Sequence, residues 1–251
     1  DGEISLRARL DRDHAEFATH MAEFATHMAD YAAHGGTYHK NILHNWDFRN
    51  PVNQRGQSSY TGNIYGIDRW LGTNPNVIVT VNDGYVSLSG VGGANAWLQQ
   101  YIEYPALLYG KTATVSVQLL DGTILSKTGT IPEDAVLSDT GFASPTVNGC
   151  NVGCYKKPDG RVFVQVAQMA GSVSNVVAVK LEIGNVSTIV NDPPADYGEQ
   201  LALCKRFYRL WTTEAARTEA LKEVGLMRIP NPTLGTIDIG GTTYYYASAD
   251  L

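Results

Sequence analysis

Five acids, Asp47, Asp68, Glu103, Asp159 and Glu182, are the carboxylates from which a paired-acid glycosidase site could be built. That chemistry needs only two carboxyl groups facing one glycosidic bond at a set separation. Acids at strand ends more often shape turns or carry solvated charge, so a binding role is expected ahead of a catalytic one. G-x-S-x-G, Walker and H-E-x-x-H patterns are absent, and Gly90-Val91-Gly92-Gly93 has no helical pattern behind it and reads as a turn. Cys150, Cys154 and Cys204 form an odd set without the paired C-x-x-C spacing of a zinc site. Unlinked thiols and a reducing assembly compartment are expected, the alternative being a small Cys150 to Cys154 loop.

All six histidines, His14, His20, His27, His34, His39 and His44, lie near the beginning of the chain. His20, His27 and His34 recur every seven residues, about 10.5 Å apart along a helix, too far for two of them on one chain to share an ion. His14 differs: three copies at a helical seam would converge either on an ion or on a neutral hydrated layer. No metal and no cofactor are expected overall.

Chemistry for holding a sugar is better represented. A sugar ring offers an apolar C–H face and fixed hydroxyls, so its site needs aromatic faces with amides or carboxylates beside them. Trp97, Gln99, Tyr101 and Glu103 alternate along one predicted strand, Ala96 to Glu103, whose opposite face carries Leu98 and Ile102 toward a core. Gln165 and Gln168, on a predicted strand Arg161 to Met169, add amides. The same face is equally suited to being covered by a neighbouring copy of the chain. The formal charge of -6, from 19 basic and 25 acidic residues, points away from nucleic acid, which requires a basic surface. No run of about 18 apolar residues and no charged-then-apolar leader pattern is present, so neither membrane insertion nor classical secretion is expected.

Two kinds of element must position these residues. Ala15-Glu16-Phe17-Ala18-Thr19-His20-Met21 is repeated at once as Ala22 to Met28 and then decays through Ala29 to His34. The period of seven places Leu10, Phe17, Phe24 and Tyr31 at d and His14, Met21 and Met28 at a, which predicts a coiled coil ended by Gly35-Gly36. One such helix is marginal alone, so its seam requires other copies, and bulky seam residues favour a parallel homotrimer. The alternative is a helix folded back on its own head. After Gly36 the text becomes short runs rich in Val, Thr, Tyr and Ile, broken by Gly, Asn, Asp and Pro. The predicted strands are Val77 to Val81, Tyr85 to Ser89, Ala96 to Glu103, Thr112 to Leu120, Thr123 to Thr130, Arg161 to Met169 and Val173 to Ile183. Short helices over Gly198 to Lys205 and Thr213 to Val224, and a hairpin of Leu234 to Ile239 with Thr242 to Ala247, follow. The expected fold is mainly β: a coiled-coil stalk (1–36), an antiparallel β-sandwich head (37–190) and a small C-terminal helix and hairpin subdomain (191–251).

Asn41-Ile42-Leu43-His44-Asn45-Trp46-Asp47-Phe48, Asn50-Pro51-Val52-Asn53-Gln54-Arg55-Gly56-Gln57 and Tyr65-Gly66-Ile67-Asp68-Arg69-Trp70 together resemble the opening of head domains in tail-fibre and tail-tip proteins of tailed phages and prophages. Lys180-Leu181-Glu182-Ile183-Gly184 and the run Tyr197 to Tyr208 resemble the close of the same domains, so the likeness spans roughly residues 41 to 211. The resemblance implies a jelly roll like that of carbohydrate-binding modules at the distal end of a trimeric virion tail fibre. Its partners would be bacterial cell-surface polysaccharide and upstream tail or baseplate proteins. It implies no particular glycan, and Trp46, Asp68, Arg69 and Trp70 read as packing and ion-pair residues. A purely structural fibre segment and a glycan depolymerase are the alternatives. Sedimentation of the whole chain is expected to give a trimer, and removal of residues 1–36 a monomer. A head that trimerises without the stalk would remove the seam as the determinant.

Overall fold

Alternation of apolar and polar residues, with period two, builds most of the molecule. The computed structural model describes residues 39–222, 227 and 232–249. The seam residues Leu10, Phe17, Met21, Phe24, Met28 and Tyr31 lie outside the described residues, and with them the coiled-coil expectation. In chain order the strands are β1 Ser59–Thr61, β2 Leu71–Gly72, β3 Val77–Asn82, β4 Tyr85–Gly90, β5 Ala96–Tyr101, β6 Thr112–Leu119 and β7 Ile124–Thr130. They continue as β8 Thr140–Ala143, β9 Cys150–Lys156, β10 Val162–Gln168, β11 Ser174–Ile183, β12 Tyr208–Trp211, β13 Thr233–Ile239 and β14 Thr242–Ser248.

The protein is mainly β, and every strand pairing within its sheets is antiparallel. A six-stranded sheet runs β1-β3-β4-β11-β6-β7 and a five-stranded sheet β2-β5-β10-β9-β8. One apolar core takes residues from both: Val79, Leu88, Val115, Val117 and Leu181 from the first, Leu98, Val152, Cys154, Val164 and Val166 from the second. Tight turns set the register. Asp83-Gly84 joins β3 to β4 as a two-residue loop, with Asn82 opposite Tyr85, and Gly84 supplies the positive φ of 83°.

Seven strands of the head fall where the sequence pattern puts them, within about two residues at each end. Four others, β1, β2, β8 and β9, were not expected. β1, β2 and β8 are short sheet edges, and β9 carries an interior glycine and two cysteines, which break the alternating signal. Gly153 has a packing reason: a Cβ there would meet the Tyr155 ring at 2.6 Å, so the ring lies across the strand only because residue 153 has no side chain.

The segment 41–70 carries most of the polar pins. Asn45 is buried in a left-handed backbone conformation, φ 50°, and its side chain bonds the Val52 amide and carbonyl and the Asp68 carbonyl, at 2.7 to 2.9 Å. Its own carbonyl accepts from Trp70 Nε1 at 2.8 Å, and Trp70 meets Phe48 edge-on. Asp68 pairs with Arg55 at 3.1 Å, and both Trp70 and Asp68 are fully buried.

The chain from Lys40 onward is one compact unit. Asp196 caps the helix Tyr197–Cys204, and Thr213 caps the helix Glu214–Ala220. The second helix ends before the expected Val224. The third sheet, β12-β14-β13, has its own small core of Met227, Ala247 and Ala249. It docks through cation–π contacts: Arg55 lies 3.7 Å from the Tyr208 ring centroid and Arg69 3.5 Å from that of Phe207. Gln200 Oε1 accepts the Asn45 amide at 2.6 Å.

His44 sits at this joint, its ring 5.9 Å from Phe207 and its Nδ1 shut away without a hydrogen-bond partner. Burial, then the nearby Arg69, Arg206 and Lys40 charges, push its pKa down to about 3. The folded chain therefore refuses a proton that the unfolded chain accepts below its ordinary value near 6.5. This contribution to stability is present above about 6.5 and is lost as pH falls toward about 3. Thermal melts across that window are expected to fall more steeply for the natural chain than for His44→Phe. Equal slopes would remove His44 as the acid-sensitive group.

Candidate functional site

Strand alternation sorts the five-stranded sheet into two faces. Ala96 and Leu98 of β5, Val162, Val164 and Val166 of β10, and Cys150, Val152 and Cys154 of β9 enter the core. The other face carries Trp97, Gln99 and Tyr101, then Phe163, Gln165 and Ala167, then Asn151, Gly153 and Tyr155. Register aligns these in rows across the strands. Phe163 stands opposite both Tyr101 and Tyr155, Gln165 opposite both Gln99 and Gly153, and Ala167 opposite both Trp97 and Asn151.

The first row is a strip of three rings. Tyr155 stacks on Phe163 with centroids 5.4 Å apart, and Tyr101 lies on its other side at 5.7 Å. Two cations roof it: the Arg161 guanidinium is 4.8 Å from the Tyr101 centroid and Lys157 Nζ is 5.2 Å from that of Phe163. Arg161 is anchored to Asp159, whose exposed carboxyl is held below the usual range by those bonds. Burial raises the Tyr155 hydroxyl pKa, so that phenol is a neutral donor at physiological pH.

The second row is a pair of amides. Gln99 Nε2 donates to Gln165 Oε1 at 2.6 Å, which leaves Gln99 Oε1 as an acceptor and Gln165 Nε2 as a donor. The third row holds the open aromatic: Trp97 is 36 % exposed, against 7 % for Tyr101 and 8 % for Gln99.

Of the residues expected from sequence, Trp97, Gln99, Tyr101 and Gln165 therefore share one face, but they are not equally open. Tyr101 is covered because its neighbours in register are large and Arg161 lies over it. Glu103 stands apart. It follows the end of β5 and its two oxygens bind Arg206 at 2.5 and 3.0 Å, clamping the end of the helix Tyr197–Cys204 to the head. Gln168 is fully buried on the core side and accepts from Ser174. Phe163, Tyr155 and Arg161 were not anticipated. Recognising β9 as a strand would have found Tyr155, since the alternation of Tyr155 with Gly153 matches that of Phe163 with Gln165.

The acids considered for hydrolysis are each engaged: Asp47 by Arg49, Asp68 by Arg55, Glu103 by Arg206, Asp159 by Arg161, and Glu182 by Lys180 and Thr188. Lys156 is buried with its Nζ bonded to the carbonyls of Pro132, Glu133 and Asp134 at 2.9 to 3.0 Å and seated on the Tyr109 ring, a structural use of the ammonium. Among the described residues no three His, Cys, Asp or Glu side chains gather as metal ligands. No family model, curated protein or solved structure matches this chain.

The three cysteines are buried thiols outside any disulfide, and burial pushes Cys150 up and Cys154 up to about 12. Thiolate is the reactive form, so a thiol reagent at neutral pH is expected to label none of them in the native chain and all three after denaturation. Fast native labelling, or only one thiol after denaturation without reductant, would contradict this.

Proposed function

We propose that this chain is the distal receptor-binding part of a tailed-phage or phage-tail-like fibre that attaches to bacterial surface polysaccharide. The observation that carries the proposal is the open Trp97 indole beside the Gln99 and Gln165 amide pair on the outward face of the five-stranded sheet. An indole gains on the apolar face of a sugar, and an amide pair with one spare acceptor and one spare donor fits hydroxyls. The ring strip of Tyr101, Phe163 and Tyr155 holds the adjoining surface in shape.

The head is read as a jelly-roll sandwich, since its two antiparallel sheets share a single core. The heptad seam of residues 1–36 would bring three heads together as a homotrimer, attached upstream to tail or baseplate proteins and carried on the virion. Three weak sites on one fibre, and several fibres on one particle, raise avidity by roughly 10² to 10⁴ without tighter contacts. Binding is favoured over hydrolysis because each of the five acids weighed for hydrolysis already holds a structural partner.

Two adjacent residues separate binding from folding. Trp97→Ala is expected to abolish adhesion to host cells while leaving the melting temperature nearly unchanged. Leu98→Ala, one residue on and facing the core, is expected to cost about 2 to 5 kcal/mol of stability. If Trp97→Ala unfolds the head or leaves adhesion intact, recognition belongs elsewhere, with Tyr244 and Tyr246 of the terminal hairpin next in line. Release of soluble sugar from host polysaccharide would show a depolymerase instead.

A further inference from the structure

The outward face of the six-stranded sheet encloses a set of reactive groups that glycan attachment does not use. After β11 the chain turns at Gly184 and folds back across β11 and β6. It is pinned there by Thr114 Oγ1 to the Gly184 carbonyl at 2.9 Å and by the Ser116 and Ser187 hydroxyls at 2.7 Å. Beneath this return segment the side chains of Lys180 and Glu182 are 0 % exposed and that of Asp192 is 1 % exposed.

Lys180 Nζ contacts Asp192 Oδ1, and it donates to Thr188 Oγ1 at 2.8 Å. Thr188 Oγ1 in turn donates to Glu182 Oε2 at 2.6 Å, and the Thr188 amide donates to Glu182 Oε1 at 2.8 Å. Glu182 Oε2 lies 3.7 Å from Lys180 Nζ. Asp192 Oδ2 is buried and has no hydrogen-bond partner. An amine, a carboxyl group and a second carboxyl group linked to the amine through one hydroxyl are thus buried together away from bulk solvent.

We propose that Lys180 and Asp192 are joined by a side-chain amide that the folded chain forms by itself. Two buried carboxyl groups crowd the one buried ammonium of Lys180, and taking each ionised group out of water is costly. Burial raises the Asp192 pKa toward the neutral acid, and the Thr188 hydroxyl and amide both donate to the Glu182 carboxyl oxygens. The Lys180 ammonium passes one proton through Thr188 Oγ1 to Glu182. The neutral amine attacks Asp192 Cγ, forming the Nζ–Cγ bond. The Cγ–Oδ2 bond then breaks, and Oδ2 departs as water with its own proton and one from the attacking nitrogen, relayed by Glu182. The products are one amide, one water and a protonated Glu182; nothing is oxidised or reduced, and the charge is zero before and after. Enclosure favours the condensation by holding the reacting atoms together and by excluding water. The bond would close a loop between residues 12 apart and fasten the chain leading to the C-terminal sheet onto β11.

The test is the intact mass of the purified natural chain under denaturing, reducing conditions. The expected mass is one water below that of the sequence, with a branched peptide joining Lys180 to Asp192 after digestion. A full sequence mass overturns the proposal. So does a one-water deficit that maps to a succinimide at any of the four Asp-Gly steps, Asp1-Gly2, Asp83-Gly84, Asp121-Gly122 or Asp159-Gly160. Lys180→Met is expected to restore the full mass, and the natural chain's own mass decides the matter if that variant does not fold. Glu182→Gln, checked for folding by circular dichroism, is expected to carry the full mass. A persistent deficit there overturns the proton-acceptor role given to Glu182.

Discussion

The constraint on which this structure depends is that each of its two large sheets has two faces and only one shared core in which to bury them. Val79, Val115, Val117 and Leu181 meet Leu98, Val152, Val164 and Val166 in that core, and every strand must keep its register to hold them there. Both outer faces are then left over, and the molecule treats them differently. The six-stranded sheet has its outer face roofed by the return segment after β11, over Lys180, Glu182 and Ser116. The five-stranded sheet keeps its outer face accessible at Trp97 and partly closed at Tyr101 and Phe163.

That asymmetry assigns the polar chemistry. Where a face is roofed, buried charges need partners within the protein, as Lys180 finds in Thr188 and Asp192 and Glu182 finds in Thr188. Lys156 meets the same demand with three backbone carbonyls. Where a face is open, amides and rings need only partial pairing, and Gln99 with Gln165 retains capacity for a ligand. The joint to the third sheet uses a third solution. Guanidinium groups of Arg55 and Arg69 lie over the rings of Tyr208 and Phe207, so a charge and an aromatic ring are packed together.

Two of the three non-glycine left-handed positions among the described residues fall where segments cross, the third, Asn148, being in a tight turn. Asn45 and Arg69 adopt φ of 50° and 72°, and both lie in the segment that ties the head to its C-terminal sheet. Conformations that cost energy locally persist because the surrounding contacts over-determine them, here the five bonds to Asn45 and the Phe207 contact of Arg69. Acid sensitivity has the same location, since His44 is held neutral by that packing.

Much of this was legible in the residues. Period-two alternation marked seven head strands and the terminal hairpin, Asp83-Gly84 marked a turn, and the spacing of Trp97, Gln99 and Tyr101 placed them on one face, because these are properties of adjacent residues. The break in style near Asp192 marked where the sheet ends. Strands β1, β2, β8 and β9 were not legible, since short edges and a glycine-interrupted strand carry too few alternating residues to signal by themselves. Which outward residues are open was decided by tertiary structure alone. Exposure depends on the register partner and on what crosses above, and so Tyr101 lies under Arg161, Glu103 turns to Arg206 and Trp97 stays in reach of solvent. The meeting of Lys180 with Asp192 is likewise a property of the fold, because it takes the return of the chain over the sheet to bring an ordinary strand lysine and a loop aspartate together out of bulk solvent.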